Sequence, residues 1–309
     1  MSIFYFFIDG IVIGPRNNET NPFSRYSNSV LSICSANTKP DSISKSFLTL
    51  PLDASMGVSG LPQSATGQTS LWTGQNGPQI QGHHLTGFPG PTLRSVIKEY
   101  SIIKRFYDKG YQTTLLNAYS EKFLKKLEKV PRLASASTHT QWASGQSLLT
   151  LTDLEQGKAM FMDITHLIMH QYYPEYVERF PIVDAKQRGS YAIKIAHNYE
   201  LVLFEYFISD KAGHSQDFDT AKYVIETLEQ FITGMYEALD EKDTLIISSD
   251  HGNLEDLSIK THTMNSVPLL VAGHLQKEFK KNMTYLYDIP RRIYDIYGFE
   301  PLTEPIRTE

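Results

Sequence analysis

Three apolar runs in this chain close on an aspartate: FYFFID at Asp9, FEYFISD at Asp210 and LIISSD at Asp250. Runs that are apolar at nearly every position suit strands covered on both faces, because a half-exposed strand alternates. Such strands belong to parallel sheets held between two helical layers. The intervening segments agree. Leu93, Val96, Ile97, Tyr100 and Ile103 fall near one face of a helix between Pro91 and Gly110. DTAKYVIETLEQFITGMYEALD and DIPRRIYDIYGFEP read as further helices, and YQTTLLNAY and SVPLLVAG as further strands. The alternation predicts an α/β fold, a three-layer sandwich with a mostly parallel central sheet. It lapses in the middle, where a helix is expected around Thr152–Tyr172 among many hydroxyl residues. We therefore divide the chain into a core, 1–125 and 190–309, and a small inserted cap or specificity region, 126–189. The polar stretch from Asn17 to Ser46 reads as long loops.

The 309 residues suffice for one large α/β domain with an insert. A net charge of −5 gives no electrostatic case for nucleic acid as a partner. The lone cysteine, Cys34, excludes an intrachain disulfide and fits a reducing compartment. The apolar start, IFYFFI, is shorter than a secretory core, and no run approaches the roughly 18 apolar residues of a membrane helix. A cytoplasmic protein without membrane association is expected.

Function in parallel sheets gathers at the carboxyl ends of the strands. There DKAGH adds His214 to Asp210, DHGN adds His251 to Asp250, and His262 precedes the next strand. An aspartate after a strand is ordinarily a turn former or a cap. Six polar groups converging on one edge are another matter, because burying them uncompensated is costly. Metal ions would offset that cost, and a mixed imidazole and carboxylate set suits zinc or manganese better than magnesium alone. Two cations a few ångströms apart serve phosphoryl chemistry and lower the pKa of a hydroxyl. A hydroxyl at a helix start is then expected, where amides and the dipole help hold an anion. LPQSATGQTSLWTG offers Ser64, Thr66, Thr69 and Ser70. Arg16, Arg132, Arg179 and Arg188 are candidates to grip an anionic group, with His83 and His84 following the hydroxyl segment. Lys211, inside DKAGH, could face a cleft there, but reads first as a solvent-facing lysine. His166 and His170 stand i, i+4 without the Glu of a metalloprotease helix, and read as surface or packing residues.

SDHGN, DKAGH, the HT before VPLLV and the closing DIPRRIYDIYGFEP together resemble the alkaline phosphatase superfamily. The nearest likeness is to its cofactor-independent phosphoglycerate mutase and phosphopentomutase branch, over roughly residues 1–120 and 195–301. The resemblance implies Ser64 as nucleophile, nine residues before the Thr of Thr73-Gly74 and three before Gly67. It implies two divalent metal ions, zinc or manganese. Asp9, Ser64, Asp250 and His251 would surround one, and Asp210, His214 and His262 the other. A sulfatase would carry Pro and Arg where Thr66 and Gln68 stand, and the mutase branch usually has His at the position of Gln68. The implied activity is phosphoryl transfer through a phosphoserine, from a small phosphorylated substrate to water or to another hydroxyl. Arg16, His84, Arg132 and Arg188 are the candidate substrate contacts. The alternative is a non-catalytic metal-binding or ligand-sensing protein on the same fold.

Overall fold

The computed structural model describes residues 1–36 and 41–303. Its main sheet has six strands: β1 Ser2–Ile8, β2 Leu48–Leu52, β3 Thr113–Leu115, β4 Leu201–Tyr206, β5 Asp243–Ser248 and β6 Val267–Gly273. Their order is β2-β6-β5-β1-β4-β3. β1 lies parallel to both β4 and β5, and β3 parallel to β4. β6 runs antiparallel to β5, and β2 antiparallel to β6. The sheet is therefore mostly parallel, as the apolar runs predict.

The helices around it are α1 Ser64–Thr73, α2 Pro91–Tyr100, α3 Ile102–Asp108, α4 Glu121–Lys129, α5 Ala136–Ala143, α6 Ala185–Ala196, α7 Ile208–Ser215, α8 Phe218–Glu237 and α9 Asp288–Ile296. Every residue of β1 is buried, and its side chains alternate between two cores. Phe4, Phe6 and Ile8 join the core beneath α6 and α8, where Phe231 meets Phe6 edge-on at 5.1 Å. Ile3, Tyr5 and Phe7 join the core beneath α1, α2 and α9. There Trp72 of α1 stands edge-on to Tyr5 at 5.2 Å and to Phe7 at 5.4 Å. That contact holds α1 on β1, so the first turn of α1 projects toward the end of the strand where Asp9 lies.

α6 and α8 approach until backbone touches backbone. A Cβ on Gly234 would fall 1.9 Å from the Lys186 carbonyl oxygen, so only glycine fits the crossing.

Local structure departs from the sequence expectation at several places. Among its described residues the polar stretch contains three short helical segments, Pro22–Tyr26, Val30–Ser35 and Ser44–Ser46, with Asn21 capping the first; residues 37–40 of that stretch lie outside the described residues. Leu48–Leu52 forms an edge strand that carries Pro51, tolerated because an edge strand has one unpaired side. The helix expected over Thr152–Tyr172 is two short helices, Leu151–Glu155 and Leu167–Tyr172. Gly157, Ile164 and His166 take positive φ between them and interrupt the α ladder. Finally, β4 ends at Tyr206, and Asp210 lies one element on, in the first turn of α7.

Residues 126–189 divide between two surroundings. α5 packs against α1, α2 and α3, with Ala136 in the same core as Trp72. Leu151, Leu154, Phe161, Met169 and Phe180 form a separate small core with Ala118. No helix among the described residues is long and apolar enough to cross a membrane.

Candidate metal centre

Asp9 follows β1, and Asp250 and His251 follow β5, the neighbouring parallel strand. Parallel pairing thus brings residues 9 and 250 to one edge without any long side chain. α7 carries Asp210 and His214 on one face by its i, i+4 spacing, with Asp210 Oδ2 and His214 Nε2 3.4 Å apart. His262 returns on the β5–β6 connection, its ring stacked on His251 at 3.7 Å.

Two donor groups result. Asp9, Asp250 and His251 offer ligand atoms within 4.8 Å of one another, and so do Asp210, His251 and His262. His251 Nε2 lies 3.3 Å from Asp9 Oδ1 and 3.5 Å from Asp250 Oδ2. His262 Nε2 lies 3.8 Å from Asp210 Oδ1. His214 stands at the margin, its ring 5.5 Å from that of His262 and its side chain nearly half exposed.

The four candidate hydroxyls of the α1 segment differ in their surroundings. Thr66 Oγ1 donates to the Gln63 carbonyl at 3.1 Å, Thr69 to Ala65 at 2.6 Å and Ser70 to Thr66 at 2.9 Å. Those three are committed to the helix backbone. Ser64 is the first helical residue, after the N-cap Gln63, and its Oγ lies 2.9 Å from His251 Nε2. Its approach depends on Gly67, where a Cβ would sit 2.9 Å from Asp250 Cβ and 3.0 Å from the Asp250 carbonyl oxygen.

Electrostatics explain why these groups call for a cation. Burial, then repulsion from Asp250, Asp210 and Glu205, pushes the Asp9 carboxyl well above its ordinary range. Burial and Asp210 raise Asp250 to about 7, against the pull of the Gln68 amide. Burial and the neighbouring His262 push His251 down to about 3. Asp9 Oδ1 and Asp250 Oδ1 are buried with no hydrogen-bond partner among the described residues. Divalent ions would satisfy both oxygens and reverse both kinds of shift. The residues present therefore fit metal ligation. His262 Nδ1 pairs with the Pro62 carbonyl at 3.0 Å and His214 Nδ1 with the Lys260 carbonyl at 3.2 Å. A carbonyl only accepts, so each Nδ1 carries the hydrogen and each neutral ring keeps its Nε2 lone pair for a ligand.

Three contacts escaped the sequence reading. Gln68 Nε2 donates to Asp250 Oδ2 at 3.1 Å and to Asp9 Oδ2 at 3.4 Å. Asn253 Nδ2 donates to Asp210 Oδ1 at 2.7 Å. Glu205, buried in β4, accepts from Ser137 and Ser135 of the middle region, and burial raises it to about 7. An acid inside an otherwise apolar strand was the available signal for Glu205. Asn253 stood in DHGN with nothing to name its partner.

The candidate substrate residues are scattered. Asp9, Ser64, Gln68, Lys126 and Lys211 line one cleft of about 490 Å³, together with aromatic side chains. Arg16 and Arg132 are exposed and outside that lining. His84 Nε2 pairs with the Val58 carbonyl at 3.2 Å. Arg188 lies over the Tyr191 ring at 5.3 Å, and Arg179 pairs with Glu155 at 2.7 Å. His166 and His170 pair with the carbonyls of Pro181 and Phe180, which makes them packing residues.

Comparison with known proteins agrees with this picture. Residues 181–301 match the family model described as the Metalloenzyme superfamily. A 125-residue stretch is 27% identical to a protein named 2,3-bisphosphoglycerate-independent phosphoglycerate mutase from Desulforudis audaxviator, covering 38% of this chain and 25% of that one. A 110-residue stretch is 30% identical to the protein of the same name from Acetivibrio thermocellus, covering 33% of this chain and 21% of that one. The matched stretches thus span a quarter or less of those relatives. Over the whole fold, an alkaline phosphatase from the Antarctic bacterium TAB5 superposes with a TM-score of 0.55 at 12% identity, covering 97% of this chain and 98% of that one. The fold is alkaline phosphatase-like and the matched sequence is that of metalloenzymes.

Proposed function

We propose that this chain is a two-metal-dependent phosphoryl-transfer enzyme that works through a phosphoserine at Ser64 on a small phosphate ester. The observation that carries the reading is the 2.9 Å approach of Ser64 Oγ to His251 Nε2, beside the unpartnered oxygens of Asp9 and Asp250. Asp9, Ser64, Asp250 and His251 are the ligands of one ion, and Asp210, His214 and His262 those of the other. The mixed nitrogen and oxygen donors suit zinc or manganese. When bound, the ions offset the charge of the transferring phosphoryl group and lower the pKa of a nearby hydroxyl.

Ser64 Oγ attacks phosphorus in line. The Oγ–P bond forms as the bond to the ester oxygen breaks, the Ser64 proton passes to solvent in the cleft, and the departing oxygen takes one up. A water or a second hydroxyl then attacks the phosphorus and gives its proton to solvent, the Oγ–P bond breaks, and Ser64 Oγ takes a proton back. Gln68 and Asn253 hold the carboxylates in place. Lys126 and Lys211, the cations of the cleft lining, attract the anionic ester. Residues 126–189 act as the substrate-facing insert, since Leu133, Ser135 and Thr138 line the same cleft.

The test is turnover of phosphate esters by the manganese- or zinc-loaded protein, with acid quench and mass-spectrometric search for phosphoserine. Ser64→Ala is expected to lower turnover about a thousand-fold or more and to abolish the phosphoserine. A variant that still turns over at the wild-type rate would sink the proposal. Release of free phosphate separates transfer to water from transfer to another hydroxyl. Metal-replete protein inert across a broad ester panel would favour a ligand-sensing role.

A further inference from the structure

Beside the cleft lies a second, smaller cavity of about 160 Å³. Tyr119, Phe123, Glu205 and Phe207 line both, so the cavity adjoins the cleft that Ser64 lines. Its other walls include Phe161 and Tyr173. We infer that the organic group of the phosphate ester is a single aromatic ring, or a planar ring of that size, seated in this cavity. The inference rests on the phosphoryl-transfer reading and names its substrate class.

Size comes first. An apolar cavity of about 150 Å³ admits one benzene molecule, so this one has room for one six-membered ring. Its walls match the occupant. Phe123 stacks on Tyr119 at 5.8 Å with the rings 8° from parallel, which presents a flat face. Phe123 and Tyr173 are each 39% exposed, and Phe88 at the cleft mouth is 49% exposed. Aromatic surface left uncovered at the edge of a reactive cleft is the kind a ligand ring covers.

Polarity agrees with an apolar occupant. Asn117 exchanges both its amide groups with the Glu205 backbone, at 2.8 and 2.9 Å. Ser120 Oγ accepts from the Phe123 amide, and Tyr119 OH pairs with Thr138. The Asn117 amide is thus committed to the protein, and the Tyr119 hydroxyl is paired within it. No lysine or arginine lines the cavity among the described residues, and Glu205 does. A carboxylate or second phosphate on the organic group would find no cation there to pair with.

The test is calorimetric titration of the manganese-loaded full chain with phenylphosphonate and with methylphosphonate, which share the anion and differ in the ring. Phenylphosphonate is expected to bind about tenfold tighter. In Phe123→Ala and in Tyr173→Ala the preference is expected to fall to about twofold or less, with methylphosphonate affinity retained. Both side chains are partly exposed, so neither change empties a core. Equal affinity for the two phosphonates, or a preference that survives both substitutions, overturns the inference and leaves the phosphoryl-transfer reading standing. Tighter binding of octylphosphonate than of phenylphosphonate overturns the ring in favour of a chain. Failure of every phosphonate to bind overturns the phosphoryl-transfer reading and this inference with it.

Discussion

Glu205 illustrates what one buried acid does when its surroundings are apolar. Its folded-state pKa is raised from 4.5 to about 7, chiefly by burial, with Ser137 pulling the other way. Between those values the folded protein keeps a proton that the unfolded chain has lost. Stability therefore falls as pH rises through that window, by up to about 3 kcal/mol. Glu205→Gln removes the titration and retains an acceptor for Ser137. Urea unfolding in chelator at pH 5 and pH 8 is expected to show the variant gaining on the wild type at the higher pH. An unchanged gap between the two proteins would show that Glu205 does not titrate in this range. Residue-scale chemistry of this kind is only partly legible in sequence. The acid in β4 could be seen, but the serines that hold it come from residues 135 and 137, which the alternation does not place.

At the scale of elements, the α6–α8 crossing and the seating of α1 set different properties. α6 and α8 meet backbone to backbone at Gly234 and carry none of the candidate ligands. Gly234→Ala forces a Cβ onto the Lys186 carbonyl, which cannot swing away as a side chain would. A loss of about 1–3 kcal/mol is expected, read as a lower denaturant midpoint with metal stoichiometry retained. A variant with an unshifted midpoint would mean that the helices part freely. α1, by contrast, is placed by Trp72 against Tyr5 and Phe7, and this seating brings its first residue to His251. The single helix expected from Pro91 to Gly110 stops at Tyr100 and restarts as α3, where the Ser101 backbone leaves helical geometry and its side chain caps the Lys104 amide. The helical periodicity there was readable because its apolar face repeats. The helix expected over Thr152–Tyr172 was not, because its apolar residues serve two short helices separated by positive-φ positions.

Across the whole molecule, the candidate ligands come from four distant segments: the end of β1, the start of α1, α7 and the β5–β6 connection. Metal bound there ties those segments together in the folded state alone. Melting is therefore expected to rise with added manganese or zinc and to fall with chelator. Each site contributes about 2.7 kcal/mol when free metal exceeds its Kd a hundredfold. Elemental analysis should find about two ions, and about one in His262→Ala. A melting curve indifferent to both metals and to chelator would remove the basis for the metal centre. The sequence by itself determined the buried strands β1, β4 and β5 and the polar edge beyond them, because a strand buried on both faces is apolar nearly throughout and a polar residue past its end stands out. It also offered four hydroxyls as the proposed nucleophile, of which the family resemblance pointed to Ser64. Only the tertiary structure turned Thr66, Thr69 and Ser70 to the helix backbone and Ser64 to His251. Only it built the aromatic cavity, from residues near 120, 161, 173 and 207. Those choices depend on distances between segments remote in sequence, and local periodicity carries no information about such distances.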